Sequence, residues 1–208
     1  MTTITGENLT FRIKEHTIFE QVSLQCHPGT LTALTGPSGC GKTSLLNVLG
    51  LLAPASSGEV YIDQVPTSGW KDKQRSQFWQ QRAAFIYQDY GIIDDETVAY
   101  NVTLRPQTKT RAADGVQAVL AQVGLQDRMA DTASVLSGGE KQRLGVARAI
   151  FKQADVLFAD EPTASLDQAN RRLIMQLLRH RAEAGVTVII STHDQELIDY
   201  CDHAFPLG

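Results

Sequence analysis

The stretch that most restricts the fold is GPSGCGKTS, Gly36–Ser44, because of what stands on either side of it. An apolar run of strand length, TLTALTG (30–36), precedes it, and the helix-forming SLLNVLGL follows. A strand that runs through a glycine-rich turn directly into a helix belongs to a parallel sheet whose crossovers are helices. The rest of the chain repeats that alternation. AAFIYQ (83–88), DVLFAD (155–160) and VTVIIST (186–192) are short runs, apolar on both faces, as buried parallel strands are. Helical spacing is expected over 42–51, about 70–82, 112–123, 140–152, 168–184 and 194–201. Near the N-terminus ENLTFRI and TIFEQVSLQC, and later GEVYID, read instead as amphipathic antiparallel strands. The expected class is α/β, with a mostly parallel sheet, an N-terminal antiparallel β subdomain, and a strand-free helical lobe over 90–152.

Bulk properties exclude several classes. The 208 residues carry a net charge of −4, which gives no general attraction for nucleic acid. The N-terminus MTTITGENLTFRIKEH lacks a basic stretch followed by an apolar one, so a secretory signal is not expected. The purest apolar run, VTVII (186–190), is far shorter than the ~20 residues of a spanning helix. A cytoplasmic chain is expected, unless a partner holds it at a membrane. Cys26, Cys40 and Cys201 have neither metal-ligand spacing nor a disulfide framework and read as reduced thiols. His16, His27, His180 and His203 read as surface or packing residues.

Three motifs carry the chemistry. In Gly36, Pro37, Ser38, Gly39, Cys40, Gly41, Lys42, Thr43 and Ser44 the glycines free backbone N–H groups to wrap phosphates, and the following helix start adds its dipole. Lys42 is placed to reach the β- and γ-phosphates and the Thr43 oxygen to ligate Mg²⁺. In DVLFADEP (155–162) a buried strand ends in two adjacent carboxylates. Asp160 suits Mg²⁺, and Glu161 suits polarisation of a water, which a kinase would not need. The third, LSGGE (136–140), opens a helix on Ser137, Gly138 and Gly139, an arrangement that exposes N–H groups to an anion at a cost in backbone entropy.

With LSGGE the sequence resembles the nucleotide-binding subunit of an ABC transporter. Gly36–Ser44 resembles the Walker A motif, Leu136–Glu140 the family signature and Val156–Glu161 Walker B. Gln88 in FIYQDY resembles the Q-loop, SLD (165–167) the D-loop and His193 in STHD the switch histidine. The motifs stand in the family's order and cover the chain. The resemblance implies one ATPase domain over 1–208. Its RecA-like P-loop NTPase core would comprise 1–89 and 153–208, with the signature subdomain over 90–152.

It also implies site roles. Two subunits pack head to tail, so that Ser137, Gly138 and Gly139 cap the γ-phosphate of the partner's ATP. His193 contacts the γ-phosphate and helps place the water. Gln88 touches Mg²⁺ or water and sits where a permease docks, and Asp167 shapes the interface between the two sites. Lys42, Gln88, Glu161 and His193 are thus the expected catalytic set, and Thr43, Gln88 and Asp160 the expected Mg²⁺ set. One position departs from the pattern. Ile13 stands where the family usually has an aromatic residue stacked on adenine, with Phe11 facing the other side, so weak ATP affinity and poor base discrimination are expected.

The segment DYGIIDDETVAYNV (89–102) resembles that of small MacB-type exporter ATPases, whose cargoes are peptides, lipoproteins, bacteriocins or haem. Tyr90, Ile92 and Ile93 are the expected permease contacts, while Asp94, Asp95 and Glu96 read as a solvated run. That likeness, with the short stretch CDHAFPLG after the last helix, leads to an expectation of export. Trp70 and Trp79 are expected to pack. A soluble ABC protein acting on DNA or ribosomes is the alternative. It usually has two cassettes or a long coiled-coil insertion, whereas 94 residues (43–136) separate Lys42 from Ser137 here, without heptads. A nucleotide switch without turnover fits poorly with the presence of Glu161, Gln88 and His193.

Overall fold

In the computed structural model, which describes residues 1–105, 111–164 and 166–208 (111–114 by backbone alone), two sheets lie face to face. Ser165 of the SLD stretch lies outside the described residues. The first sheet is antiparallel, in the order β2-β1-β4-β5, from β1 (Ile4–Ile13), β2 (His16–Cys26), β4 (Ser57–Ile62) and the short β5 (Val65–Pro66). The second is parallel throughout, in the order β6-β7-β8-β3-β9. Its strands are β3 (Leu31–Thr35), β6 (Ala83–Ile86), β7 (Val156–Asp160), β8 (Thr187–Ser191) and β9 (His203–Pro206). The mostly parallel α/β class read from the sequence is therefore the one observed. The edge strand β9 has no counterpart among the expected elements: a four-residue strand with two exposed residues at its start, His203 and Ala204, carries too little apolar pattern to be seen.

Every residue of β7 and β8 is buried, because both faces of the parallel sheet are covered. Alternate side chains go to opposite cores. Val156, Phe158 and Ile189 join Leu45, Leu49, Phe78 and the inner face of the antiparallel sheet. Leu157, Ala159, Val188 and Ile190 join the helices on the other side. Those helices include α3 (Val98–Thr103), α4 (Arg111–Gln122), α5 (Gly138–Phe151) and α6 (Gln168–Glu183), with α7 (Gln195–Tyr200) completing the layer. Helix α3 is one the periodicity does not announce: six residues give too short a window. Thr97 caps it, and the buried Asn101 ties it to the preceding loop by bonds to the backbone N–H and C=O of Ile93.

On the opposite side lie α1 (Lys42–Leu49) and α2 (Asp72–Gln81). Both tryptophans pack as expected. Trp79 donates from Nε1 to the carbonyl of Gly50 at 3.0 Å, and Trp70, just outside α2, meets the edge of Phe78. Arg82 fastens the two sheets at the edge remote from the site, donating to Thr2, Asp63 and Asp155.

Gly58 is the second residue of β4, where its pairing with β1 shifts register between Glu7 and Thr10. Its φ is +87°, and a Cβ there would lie 2.4 Å from the Asn8 carbonyl oxygen. Gly58→Ala therefore combines left-handed strain with a backbone clash. Expected is a loss of about 2 kcal/mol, read by thermal unfolding as a fall of roughly 4–8 °C in Tm for a chain of this size.

Candidate active site

The C-terminal ends of β3, β7 and β8 lie side by side, and the loops leaving them form the site, the usual place for a ligand in an open parallel sheet. Beyond β3 the chain turns through Gly36 and Gly41, at φ +141° and +101°. A Cβ on Gly36 would stand 2.3 Å from the Leu207 carbonyl oxygen, so the turn accepts glycine alone there. Gly41 is the N-cap of α1 and provides no side chain to satisfy the first N–H groups, and the first turn holds no acidic residue. That helix start is left open to an anion. Lys42 is 7% exposed, and its ammonium donates to the carbonyls of Gly36 at 2.9 Å and Pro37 at 3.0 Å.

Opposite stands the end of β7. The pairing of Asp160 with Ser191 brings the Ser191 hydroxyl onto Asp160 Oδ1. Thr43 Oγ1 donates to the same oxygen at 3.0 Å, across 117 residues of sequence. Glu161 follows with φ +45°, a left-handed conformation that turns its side chain back toward the end of β8. Each of its carboxylate oxygens has one neighbour: His193 Nδ1 lies 2.7 Å from Oε1, and Thr192 Oγ1 donates to Oε2 at 3.3 Å. The glutamate side chain is mostly buried at 12% exposure, whereas the histidine is 70% exposed, so the imidazole reaches outward from an anchored carboxylate.

A hollow of about 320 Å³ joins these parts, lined among others by Ser38, Gly39, Lys42, Ser44, Glu161 and His193. Gln88, exposed just past β6, lines it as well as a larger neighbouring hollow of about 650 Å³. The structure thus gathers Lys42, Thr43, Gln88, Asp160, Glu161 and His193, which come from four separate loops. Cys40 sits within the same turn, its amide bonded to the Pro37 carbonyl. Thr43, Asp160 and Gln88 together present hard oxygen donors, the kind an Mg²⁺ held jointly with phosphates takes. Among the described residues no group of three or more His, Cys, Asp or Glu forms a metal centre by itself.

Ser137, Gly138 and Gly139 line neither hollow. They open α5 elsewhere on the chain, with Ser137 and Gly138 exposed. Ser137 and Glu140 form a capping box: the Ser137 N–H and hydroxyl each donate to Glu140 Oε2 at 2.8 Å, and the Glu140 N–H returns a bond to Ser137 Oγ. A Cβ on Gly138 would approach the Tyr90 hydroxyl at 3.1 Å. Further along α5, the buried Gln142 donates to the Pro162 carbonyl, tying this helix to the loop behind Glu161.

Ile13 ends β1 at the hairpin, is 52% exposed and is absent from the hollow's lining. Phe11 turns away and stacks on Phe19. Ile18 supplies the apolar wall instead, packed beside Gly41. No sequence motif assigns a role to Ile18, Ser191, Thr192 or Asp194. Ile18 sits in a strand of otherwise ordinary alternation, and the other three gain a role only from the register of β8 against β7. Nor are all the acids of the 94–96 run merely solvated: Lys141 on α5 pairs with Asp94 at 2.6 Å.

The family model for the ABC transporter matches residues 19–164. An uncharacterized ABC transporter ATP-binding protein of Methanocaldococcus jannaschii is 35% identical over 206 residues, 97% of this chain and 89% of that protein. The lipoprotein-releasing system ATP-binding protein LolD of Nitrobacter winogradskyi is 37% identical over 196 residues, 92% of this chain and 84% of that one. The macrolide export ATP-binding/permease protein MacB of a Shewanella species is 37% identical over 205 residues; these are 96% of this chain but 32% of that much longer protein. Among solved structures, a dimeric bacterial ABC transporter cassette superposes with a TM-score of 0.90 at 29% identity, covering 98% of this chain and 94% of that one. A post-hydrolysis dimer of that cassette, bound to ADP and phosphate, gives 0.88 at 28% identity with the same coverage.

The bonds from Ser137 hold the Glu140 carboxyl below its ordinary value of 4.5. Its contribution to the helix start is therefore complete above that pH and is lost as the pH falls through the lowered value. Glu140→Ala is expected to cost about 1 kcal/mol at neutral pH, as loss of a helix-start partner does. In urea unfolding at about pH 7 and about pH 3.5, the gap between variant and parent should narrow at the acid end.

Proposed function

Because the chain belongs to the ABC transporter family of ATP-binding subunits, we propose that it hydrolyses ATP in a composite site shared between two copies and thereby drives a membrane permease in export. The observation that carries this reading is the division of the machinery. The P-loop, Gln88, Glu161 and His193 surround one hollow, with Asp160 bonded to Thr43 beside it, while the Ser137–Gly139 helix start faces outward elsewhere and lines no part of it. Each half lacks what the other offers. Head-to-tail pairing would set the open N–H groups of a partner's α5 against the γ-phosphate held by the P-loop of the first copy, so that each phosphate meets two helix starts. The dimeric assembly of the similar cassette supports this arrangement.

In this reading Glu161 is the general base, aligning a water against the γ-phosphorus, with His193 fixing the carboxylate and contacting the γ-phosphate. Lys42 exchanges the carbonyls of Gly36 and Pro37 for phosphate oxygens. Thr43, Asp160 and Gln88 would hold an Mg²⁺, which when bound neutralises charge on the phosphoryl group. Ile18 would flank the base at the P-loop end, with Ile13 covering it from the hairpin. Without an aromatic ring at either place the base gains little stacking.

The permease would dock over the hollow lined by Leu46, Leu52, Phe85, Tyr87 and Asp89, which reaches Gln88 and Asp160 at its floor. Of the three expected contacts beside it, Ile93 is exposed, whereas Ile92 packs against the core and Tyr90 is half-buried. The described residues between 90 and 152 would move with that permease as one subdomain. No helix among the described residues is long and apolar enough to cross a membrane. Like the ATP-binding relatives of transport systems, the chain would sit at the cytoplasmic face through its permease. Export is supported by the relatives, whose names include lipoprotein release and macrolide export. A peptide, lipid-like or haem-type cargo fits that group. The net charge of −4 speaks against action on nucleic acid.

Glu161→Gln should lower steady-state turnover by roughly 10²-fold or more, the range for loss of a general base, and should accumulate a closed dimer with ATP on size exclusion. Near-parental turnover would remove Glu161 from the role. Ser137→Arg should leave ATP binding to the P-loop intact while preventing dimer closure and turnover. If turnover persists in that variant, the site is not shared.

A further inference from the structure

His193 is carried on a very short span. Before it, the Thr192 N–H is fixed to the Leu34 carbonyl of β3. After it stands Asp194, whose carboxylate is held from three directions. Its Oδ1 accepts the Glu196 N–H at 3.1 Å, capping α7. Its Oδ2 accepts Thr163 Oγ1 at 3.4 Å and pairs with the Arg171 guanidinium. Asp194 in turn donates its own N–H to Thr192 Oγ1 at 3.1 Å, the hydroxyl that bonds Glu161 Oε2. Both oxygens of Glu161 are therefore held by the residues immediately before Asp194, Thr192 and His193.

Arg171 does not belong to that loop. It lies in the first turn of α6, whose N-cap is Asp167. The Asp167 carboxylate accepts the Asn170 N–H at 2.9 Å, so the cap and the arginine are part of one rigid helix start. We propose that Arg171 is a positioning residue for hydrolysis. Through Asp194 it fixes the Thr192–His193 turn and hence the orientation of Glu161, and so makes the start of α6 part of the hydrolytic geometry. This rests on the reading of Glu161 as the base and of Asp167 as a residue of the interface between copies.

Two observations place the pair where it can act on the turn. The Asp194 side chain is mostly buried at 14% exposure and that of Arg171 is 33% exposed, so the carboxylate is a fixed point behind the turn rather than a solvated surface charge. The His193 side chain is 70% exposed and its ring is held at 2.7 Å from Glu161 Oε1, so a shift of its two flanking anchors moves the ring and the carboxylate together. A displacement of a reacting group on the order of 1 Å can cost as much as 10²-fold in rate.

Arg171→Ala should lower kcat for ATP by roughly 10-fold while the ATP KM stays within about twofold. Arg171→Lys, which keeps the cation but not the fork, should recover a clear part of the loss. In a Glu161→Gln background, Arg171→Ala should still form the ATP-dependent dimer, because closure does not require the water to be aligned. Asp194→Asn, which retains the cap on α7 but not the ion pair, should reproduce the kcat-only loss and serves if the arginine variant folds poorly. The proposal is overturned if kcat in Arg171→Ala stays within twofold of parent, if Lys and Ala behave alike, or if KM rises in step with the fall in kcat. Full turnover in Glu161→Gln alone would bring down the underlying reading instead, a result distinct from any of these.

Discussion

The parallel register of β7 on β8 pairs Val156 with Thr187 and, four residues later, Asp160 with Ser191. A shift by one residue would turn every side chain of β7 to the opposite face, moving Phe158 out of one core and Leu157 out of the other. Because both faces are buried, such a shift is prohibited by packing and not by hydrogen bonding alone. The arrangement of the proposed site is a by-product of that packing. Once Asp160 faces Ser191, the next residues on the two strands, Glu161 and Thr192, meet as well, and the histidine after them falls within reach of the carboxylate. Pairing of Leu34 with Ser191 then places the glycine-rich turn beside the same edge.

The sequence was most informative where chemistry forces composition. The turn at Gly36 and Gly41 tolerates no Cβ, so it could be read from the chain, as could the buried strand ending in Asp160 and Glu161. Strands such as Val156–Asp160 and Thr187–Ser191 announced themselves because continuous apolar runs have few other places to go. Less legible were features that depend on what lies across a strand or behind a helix. Ser191 looks like any strand-ending hydroxyl until its neighbour is known. Asp194 reads as an ordinary cap for α7, and Arg171 as one of several solvated cations on an amphipathic helix. The strand at 203–206 and the helix at 98–103 escaped notice for a simpler reason: neither is long enough to establish a period.

The two cores divide the chain in a way that bears on motion. One unites the antiparallel sheet, α1 and one face of the parallel sheet; the other unites the opposite face with α3 to α6. Within the second core α5 is bonded to two segments that border the site. Its start lies under Tyr90, its middle is bonded through Gln142 to the loop beyond Glu161, and Arg148 near its end donates to the carbonyls of Tyr90 and Gly91. The segment after Gln88 is thus in contact with α5 at both ends of the helix, and the middle of α5 with the loop behind Glu161.

Glu161 itself occupies a backbone conformation that suits glycine or asparagine better than a longer side chain, at φ +45°. The conformation is what swings the carboxylate toward Thr192 and His193 and away from the strand it ends. Local conformational preference and chemical need are opposed at this residue. Replacement by glycine would relax the backbone while removing the carboxylate; under the proposed role of Glu161 as base, this is a place where durability is traded for turnover.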